Sequence, residues 1–203
     1  MRQALTLSLS LLPCIVFAQG EERLAKLREG AEPLSGLGSF LEKYVGDCPP
    51  KALGGAECSQ NAASFRAKAN GKKFYMVVAE DSAVISMGGI TSDGGFTLNV
   101  TPFFGAAGTA LTHGAPSRTD ASGNPVLPFL RVKGTAPDGL SADSIARMAS
   151  MRTLRLEVVF TPQGLWTLQK KGGGKVTGVK GKIEAMWVTI GRTGQTIGHW
   201  PAR

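Results

Sequence analysis

Leu154-Arg155-Leu156-Glu157-Val158-Val159-Phe160-Thr161, running on into Pro162-Gln163-Gly164-Leu165-Trp166, decides how this chain folds. Leu154, Leu156, Val158 and Phe160 alternate with mostly polar neighbours. Successive side chains of a strand point to opposite faces, so residues 152–161 read as a strand with one buried side. Thr161-Pro162-Gln163-Gly164 has Pro and Gly where a type I turn wants them, which predicts a turn and then a second short strand over residues 165–169. Lys170-Lys171-Gly172-Gly173-Gly174-Lys175 follows as a basic loop, and a strand pattern resumes through residues 176–190, with Lys180 and Lys182 at its start and Trp187 near its end. Residues 152–190 therefore predict a β-meander with a basic loop.

Working outward, the upstream chain repeats the pattern. Phe65, Ala67 and Ala69 alternate with Arg66 and Lys68, and Asn70-Gly71 is a strong hairpin signal, so residues 63–69 and 72–79 are expected to pair as strands. The second of these has apolar residues on both sides and is expected to be buried on both. Glu80-Asp81-Ser82 then turns into residues 83–90, and Ser92-Asp93-Gly94-Gly95 into residues 96–101. Such close spacing of strands and turns suits a sandwich or barrel. Residues 102–128 are loose and rich in Gly and Pro, before a strand pattern over residues 126–133. Ser141, with Asp143 in the first turn and Leu140 and Ile145 as a staple, predicts a short helix. Arg192-Thr193-Gly194-Gln195 turns into a last strand over residues 196–200. The expected fold is all-β, a mainly antiparallel sandwich or open barrel of about eight to ten strands, with one short inserted helix.

The first residues read differently. Arg2 followed by an apolar run over residues 4–17, then Val16-Phe17-Ala18, has the form of a secretory signal peptide cut before Gln19. That run is too short for a transmembrane span. Acylation at Cys14 fits poorly, because Pro13 sits where a small residue belongs. The expected address is therefore export, to the periplasm or beyond. Residues 19–47 read as a helical extension: one helix over residues 21–30, and a second opened by Pro33 with Leu34, Leu37, Leu41 and Tyr44 on one stripe, lying outside the β core. Residues 48–203 make the β-rich domain. Cys48 and Cys58, the pair left once the leader is removed, are expected to form a structural disulfide, as an even count in an exported chain favours.

Charge is uneven. From Gln19 to Cys48 six acids face four bases, whereas from Arg147 onward only Glu157 and Glu184 oppose ten Lys and Arg. Such a bias points to an anionic partner or to a well-solvated surface. The candidate binding residues are Lys170, Lys171, Lys175, Lys180 and Lys182, of which Lys180 and Lys182 share a strand face. Gly172-Gly173-Gly174-Lys175 lacks the spacing of a phosphate loop, so no nucleotide is expected. Nucleic acid is disfavoured by export. His113, with Ser117, Arg118 and Asp120 nearby, invites a hydrolase reading of residues 103–128, but there is no nucleophile elbow. His113 and His199 have no neighbouring Cys or acid pair, so neither a metal nor another cofactor is expected. Trp187, among Ile183, Ala185, Val188 and Ile190, reads as core; Trp166 and Trp200 are at strand ends. Glu157 and Glu184 face away from the core row and are expected to be cross-strand partners of Lys or Arg rather than a glycosidase pair.

The leader, the Cys48/Cys58 loop and the run from Leu154 to Pro162 followed by Gly164 and Trp166 resemble small exported proteins of myxobacterial type, grouped as a domain of unknown function. That resemblance implies no activity, ligand or site residue. The sequence thus predicts an exported, non-enzymatic binding module of the cell envelope, its basic surface turned to an anionic polymer, lipid headgroup or acidic protein. An assembly factor acting through its N-terminal helices and a hydrolase are the alternatives. Oligomeric state stays open.

Overall fold

The computed structural model describes residues 22–23, 25–78, 83–92, 94–105, 109–124, 126–170 and 173–201. The leader with Cys14, the turn at Glu80-Asp81-Ser82, and Lys171 lie outside the described residues. The fold is all-β with a few helices. Among the described residues a single nine-stranded sheet is built from β1 (Glu32–Pro33), β2 (Phe74–Val78), β3 (Ala83–Ile90), β4 (Gly95–Phe104), β5 (Ala110–His113), β6 (Leu130–Thr135), β7 (Leu154–Gln169), β8 (Lys175–Ile190) and β9 (Thr196–Trp200). The helices are α1 (Leu37–Val45), α2 (Gly55–Ala69) and α3 (Ala142–Ser150), and residues 25–29 are also helical.

The β7–β8 hairpin is the spine. Leu154, Leu156, Val158 and Phe160 are buried on one face of β7, opposite Ile190, Val188, Met186 and Ile183 of β8. Two register shifts interrupt the hairpin. One leaves Glu184 as an extra residue of β8 between Ile183 and Ala185; the other lies between Pro162 and Gly164 of β7. The second corrects the sequence reading. Thr161-Pro162-Gln163-Gly164 does not turn the chain but bulges within one 16-residue strand. A proline, having no N–H to donate, is tolerated at such a break in the ladder.

β8 and β4 are the two strands at which the sheet forks. One edge of β8 is paired along its whole length with β7. Its other edge pairs with β5 at Val179, Lys180 and Gly181, and with β9 from Met186 to Thr189. β4 likewise has β3 on one edge, and on the other β6 over Gly95–Val100 and β5 at Phe103 and Phe104. Since β6 also pairs with β9, β8 and β4 are bridged by one strand at one end and by two at the other. Apart from β1–β2 and β5–β8, the pairings are antiparallel.

Residues 63–69 are helix, not the first arm of a hairpin. Over so short a window the Phe65/Ala67/Ala69 alternation competes with alanine's helix propensity. Ala62, Phe65 and Ala69 recur at helical spacing, and Ala62 and Ala69 are buried. Asn70-Gly71 ends this helix instead of joining two strands. β2 is also buried on one face only, with Val77 exposed.

The N-terminal segment likewise differs from expectation. Glu32–Pro33 pairs with Phe74–Tyr75, and the helix starts at Leu37, because a residue before proline is driven to extended backbone. This helix is part of the core. Phe40 lies 5.1 Å from the Phe74 ring and 5.7 Å from that of Phe160, and Leu41 and Tyr44 are fully buried with it. Its apolar stripe is thus used inside the molecule. Arg66 of α2 donates to the carbonyls of Tyr44 (2.7 Å) and Val45 (3.2 Å), placing a cation at the helix C-terminus where the dipole favours one.

Cys48 and Cys58 are joined, tying the exit of α1 to the first turn of α2. Closing so short a loop stabilises by roughly 2–3 kcal/mol in the loop-entropy model. Cys48→Ser/Cys58→Ser is therefore expected to lower the free energy of urea unfolding by about that much while leaving the sheet's CD spectrum intact. No change on reducing the parent protein would contradict a stabilising bridge.

Ser141 caps α3 as expected, its Oγ accepting from the Ser144 N–H at 3.2 Å. Among the described residues no helix is long and apolar enough to cross a membrane.

Candidate functional site

The cross-strand registers sort the sheet's residues into two faces. On the inner face are most core residues of β2, β4, β6, β7, β8 and β9, whereas Val159, Ala185, Trp187 and Trp166, also buried, fall on the outer one. On the outer face one row reads Val77, Glu157, Trp187, His199, Lys133 and Thr97 across six strands. Following β8 past the Glu184 bulge, Lys182 and Lys180 stay on this face, opposite Thr161 and Gly164. Thr112 of β5 joins them through its pairing with Lys180. Arg131, two residues before Lys133, and Arg155, opposite Thr189, complete the set.

The outer face therefore carries Arg131, Lys133, Arg155, Lys180 and Lys182, each exposed. Among the described residues its acids are Glu157 and Glu184, and both are already paired. Arg28, from the N-terminal helical turn, pairs with Glu157 and stacks its guanidinium 4.6 Å from the Tyr75 ring centroid, while the Tyr75 hydroxyl donates to Glu157 at 2.9 Å. Glu184 takes Lys182 at 3.1 Å and a hydrogen bond from Thr161 at 3.3 Å. Both acids partner a cation, but not across strands as the sequence suggested: Arg28 comes from the N-terminal helical turn and Lys182 is a neighbour on the same strand. Among the described residues Arg131, Lys133, Arg155 and Lys180 have no acid partner.

The sequence-selected lysines do not all converge. Lys180 and Lys182 share the outer face, Lys170 sits in the turn closing the hairpin, and Lys175 follows the opposite parity, opposite Gln169. Arg131 and Lys133 were missed because the lysine-glycine loop drew the reading. The signal was present in the alternation of Leu130 and Val132 with Arg131 and Lys133.

The three tryptophans serve the fold. Trp187 and Trp166 are buried. Trp166 lies against Gly178, and its indole N–H donates to Thr112 Oγ1 at 2.9 Å; Thr112 in turn donates to the Gly114 carbonyl at 2.5 Å. Trp200 meets His113 edge to face at 5.0 Å.

His113 occupies the fork. Between the stretches of β8 paired with β5 and β9, the Ile183 N–H donates to His113 Nδ1 at 3.1 Å. An Nδ1 that accepts must be unprotonated, so the neutral ring carries its proton on Nε2. The side chain thus completes a ladder that no strand reaches. Asp120 accepts from the Asn124 N–H at 2.9 Å in a local turn, and among the described residues no hydrogen bond joins His113 to Ser117 or Asp120.

Burial holds the His113 pKa below its ordinary value; the Glu184 carboxylate acts against this and the Lys182 ammonium with it. As pH falls through about 6.5 the unfolded chain takes up this proton first. The His113 contribution to stability is therefore complete above that pH, shrinks as pH falls towards the lowered folded value, and is constant below it. Comparing urea unfolding of the parent and His113→Gln across pH 5–8 is expected to show a steeper acid-side loss in the parent; parallel curves would contradict the His113–Ile183 bond.

No curated protein and no solved structure matches this chain. A family model described as a family of unknown function (DUF6066) matches residues 1–203. With its whole length covered, the chain belongs to that family.

Proposed function

We propose that this protein is an exported, non-enzymatic binding module of the cell envelope whose outer sheet face holds an anionic component. One observation carries the reading: both acids of that face are already neutralised, by Arg28 and Lys182, leaving Arg131, Lys133, Arg155 and Lys180 exposed without an acid partner among the described residues. A merely solvated surface interleaves both signs, whereas unopposed cations on one face raise the local concentration of anions. The leader-like first residues and the Cys48–Cys58 bridge are consistent with an oxidising, extracytoplasmic address.

Retention of the mature chain on a heparin matrix, used as a soluble-polyanion surrogate, tests this. Exposed charges are screened over about 10 Å at 0.1 M salt and about 3 Å at 1 M. Retention is thus expected at low salt and to be lost at high salt, and binding that survives high salt unchanged would contradict an electrostatic face.

A further inference from the structure

We infer that the anionic component is a phospholipid surface, on which the outer face docks with its cations at the headgroups and Phe129 and Phe104 entering the interface. This rests on the proposed electrostatic reading and adds a second kind of observation. Large apolar side chains are exposed on the same face as the unopposed cations. Phe129, just before β6, is 45% exposed, and the Arg131 guanidinium lies 5.7 Å from its ring centroid. Phe104, the last residue of β4, is 36% exposed and pairs with Ala110. Ala110 shares its side of β5 with Thr112, and Thr112 is the cross-strand neighbour of Lys180.

Register fixes how these groups are spread. Lys133 is two strands from β8, in the row of Trp187, and Lys180 is farther along β8 beyond the Glu184 bulge. That separates them by roughly 10 Å across the strands and 20–25 Å along them, with Arg131 and Lys182 at intermediate positions. Cations spread over such an area match a plane of headgroups better than a single small anion, and each Lys or Arg near an anionic leaflet adds to attraction. A soluble polyanion satisfies the cations but gives nothing to an exposed phenyl ring. A bilayer interface rewards both, because aromatic rings partition there while charges stay at the headgroup level.

The test is flotation of the mature chain with vesicles of phosphatidylcholine, alone or mixed with phosphatidylglycerol, beside heparin retention as the control for charge. The parent is expected to float with the mixed vesicles at low salt and not with pure phosphatidylcholine. Phe129→Ser should weaken flotation roughly fivefold or more, as loss of a buried phenyl ring implies, while heparin retention is unchanged. Phe129→Leu should restore flotation, and Phe104→Ser should add to the loss if its CD spectrum matches the parent's. Parent-like flotation by Phe129→Ser, or heparin retention without vesicle binding, would overturn the lipid inference and leave the electrostatic reading standing. Failure to bind either probe would remove both.

Discussion

Phe160→Ala is expected to lower the free energy of unfolding by about 3–5 kcal/mol, the range for emptying a buried aromatic site. The ring is fully buried, 5.7 Å from Phe40 of α1 and 5.8 Å from Phe74 of β2. It thus joins helix to sheet as well as strand to strand, and neither neighbour can fill the space without giving up its own contacts. Phe40 already packs on Phe65 and Tyr44. Leu165→Ala, on the same strand but part-exposed, should cost under about 1.5 kcal/mol because the side chain has less area to lose. Urea denaturation of the two variants makes the comparison. Equal losses would mean that α1 does not pack over this row.

Gly178→Ala should cost about 2–6 kcal/mol, more than a surface strand substitution does. A Cβ there would lie 2.1 Å from Cζ2 and 2.4 Å from Cε2 of Trp166, and 2.7 Å from the Ala110 carbonyl oxygen. The neighbours are a rigid indole and backbone, so one must shift. Overpacking of this kind costs about 1–3 kcal/mol. Moving the indole also breaks its bond to Thr112, leaving a buried donor at a further cost of about 1–3 kcal/mol. Double-mutant analysis separates these contributions. Against a Trp166→Ala background the same substitution should cost clearly less, about 1–3 kcal/mol, because only the Ala110 carbonyl still crowds the added Cβ; an undiminished cost there would locate all the strain in the backbone.

How legible the fold was from sequence depended on the range of the interaction. The β7–β8 pair, β4, β9 and the Ser141 cap were readable because their signals are local: alternation, turn residues, a hydroxyl before an apolar run. Residues 63–69 were misread because a short alternation beside Asn-Gly fits a strand as well as one turn of helix, and only packing of Phe65 against Phe40 decides. The Thr161–Gly164 bulge shares its composition with a turn; what differs is the partner strand, far along the chain. The fork of β8 between β5 and β9 has no local signature at all, and with it went the role of His113. The candidate site was half visible. Lys180 and Lys182 were placed on one face by alternation alone, whereas their company with Arg131 and Lys133, and the pairing of Glu157 with Arg28, depend on the sheet's order.

Two variants that each remove three positive charges separate placement from net charge as the source of anion binding. Arg131→Gln/Lys133→Gln/Lys180→Gln removes three cations of the outer face, and Lys43→Gln/Lys68→Gln/Arg147→Gln removes three exposed cations of the helices. Heparin retention and vesicle flotation of both are to be compared at one low salt concentration. The outer-face variant should lose most of its binding while the second stays close to the parent. Equal losses in the two would contradict an anion-binding outer face.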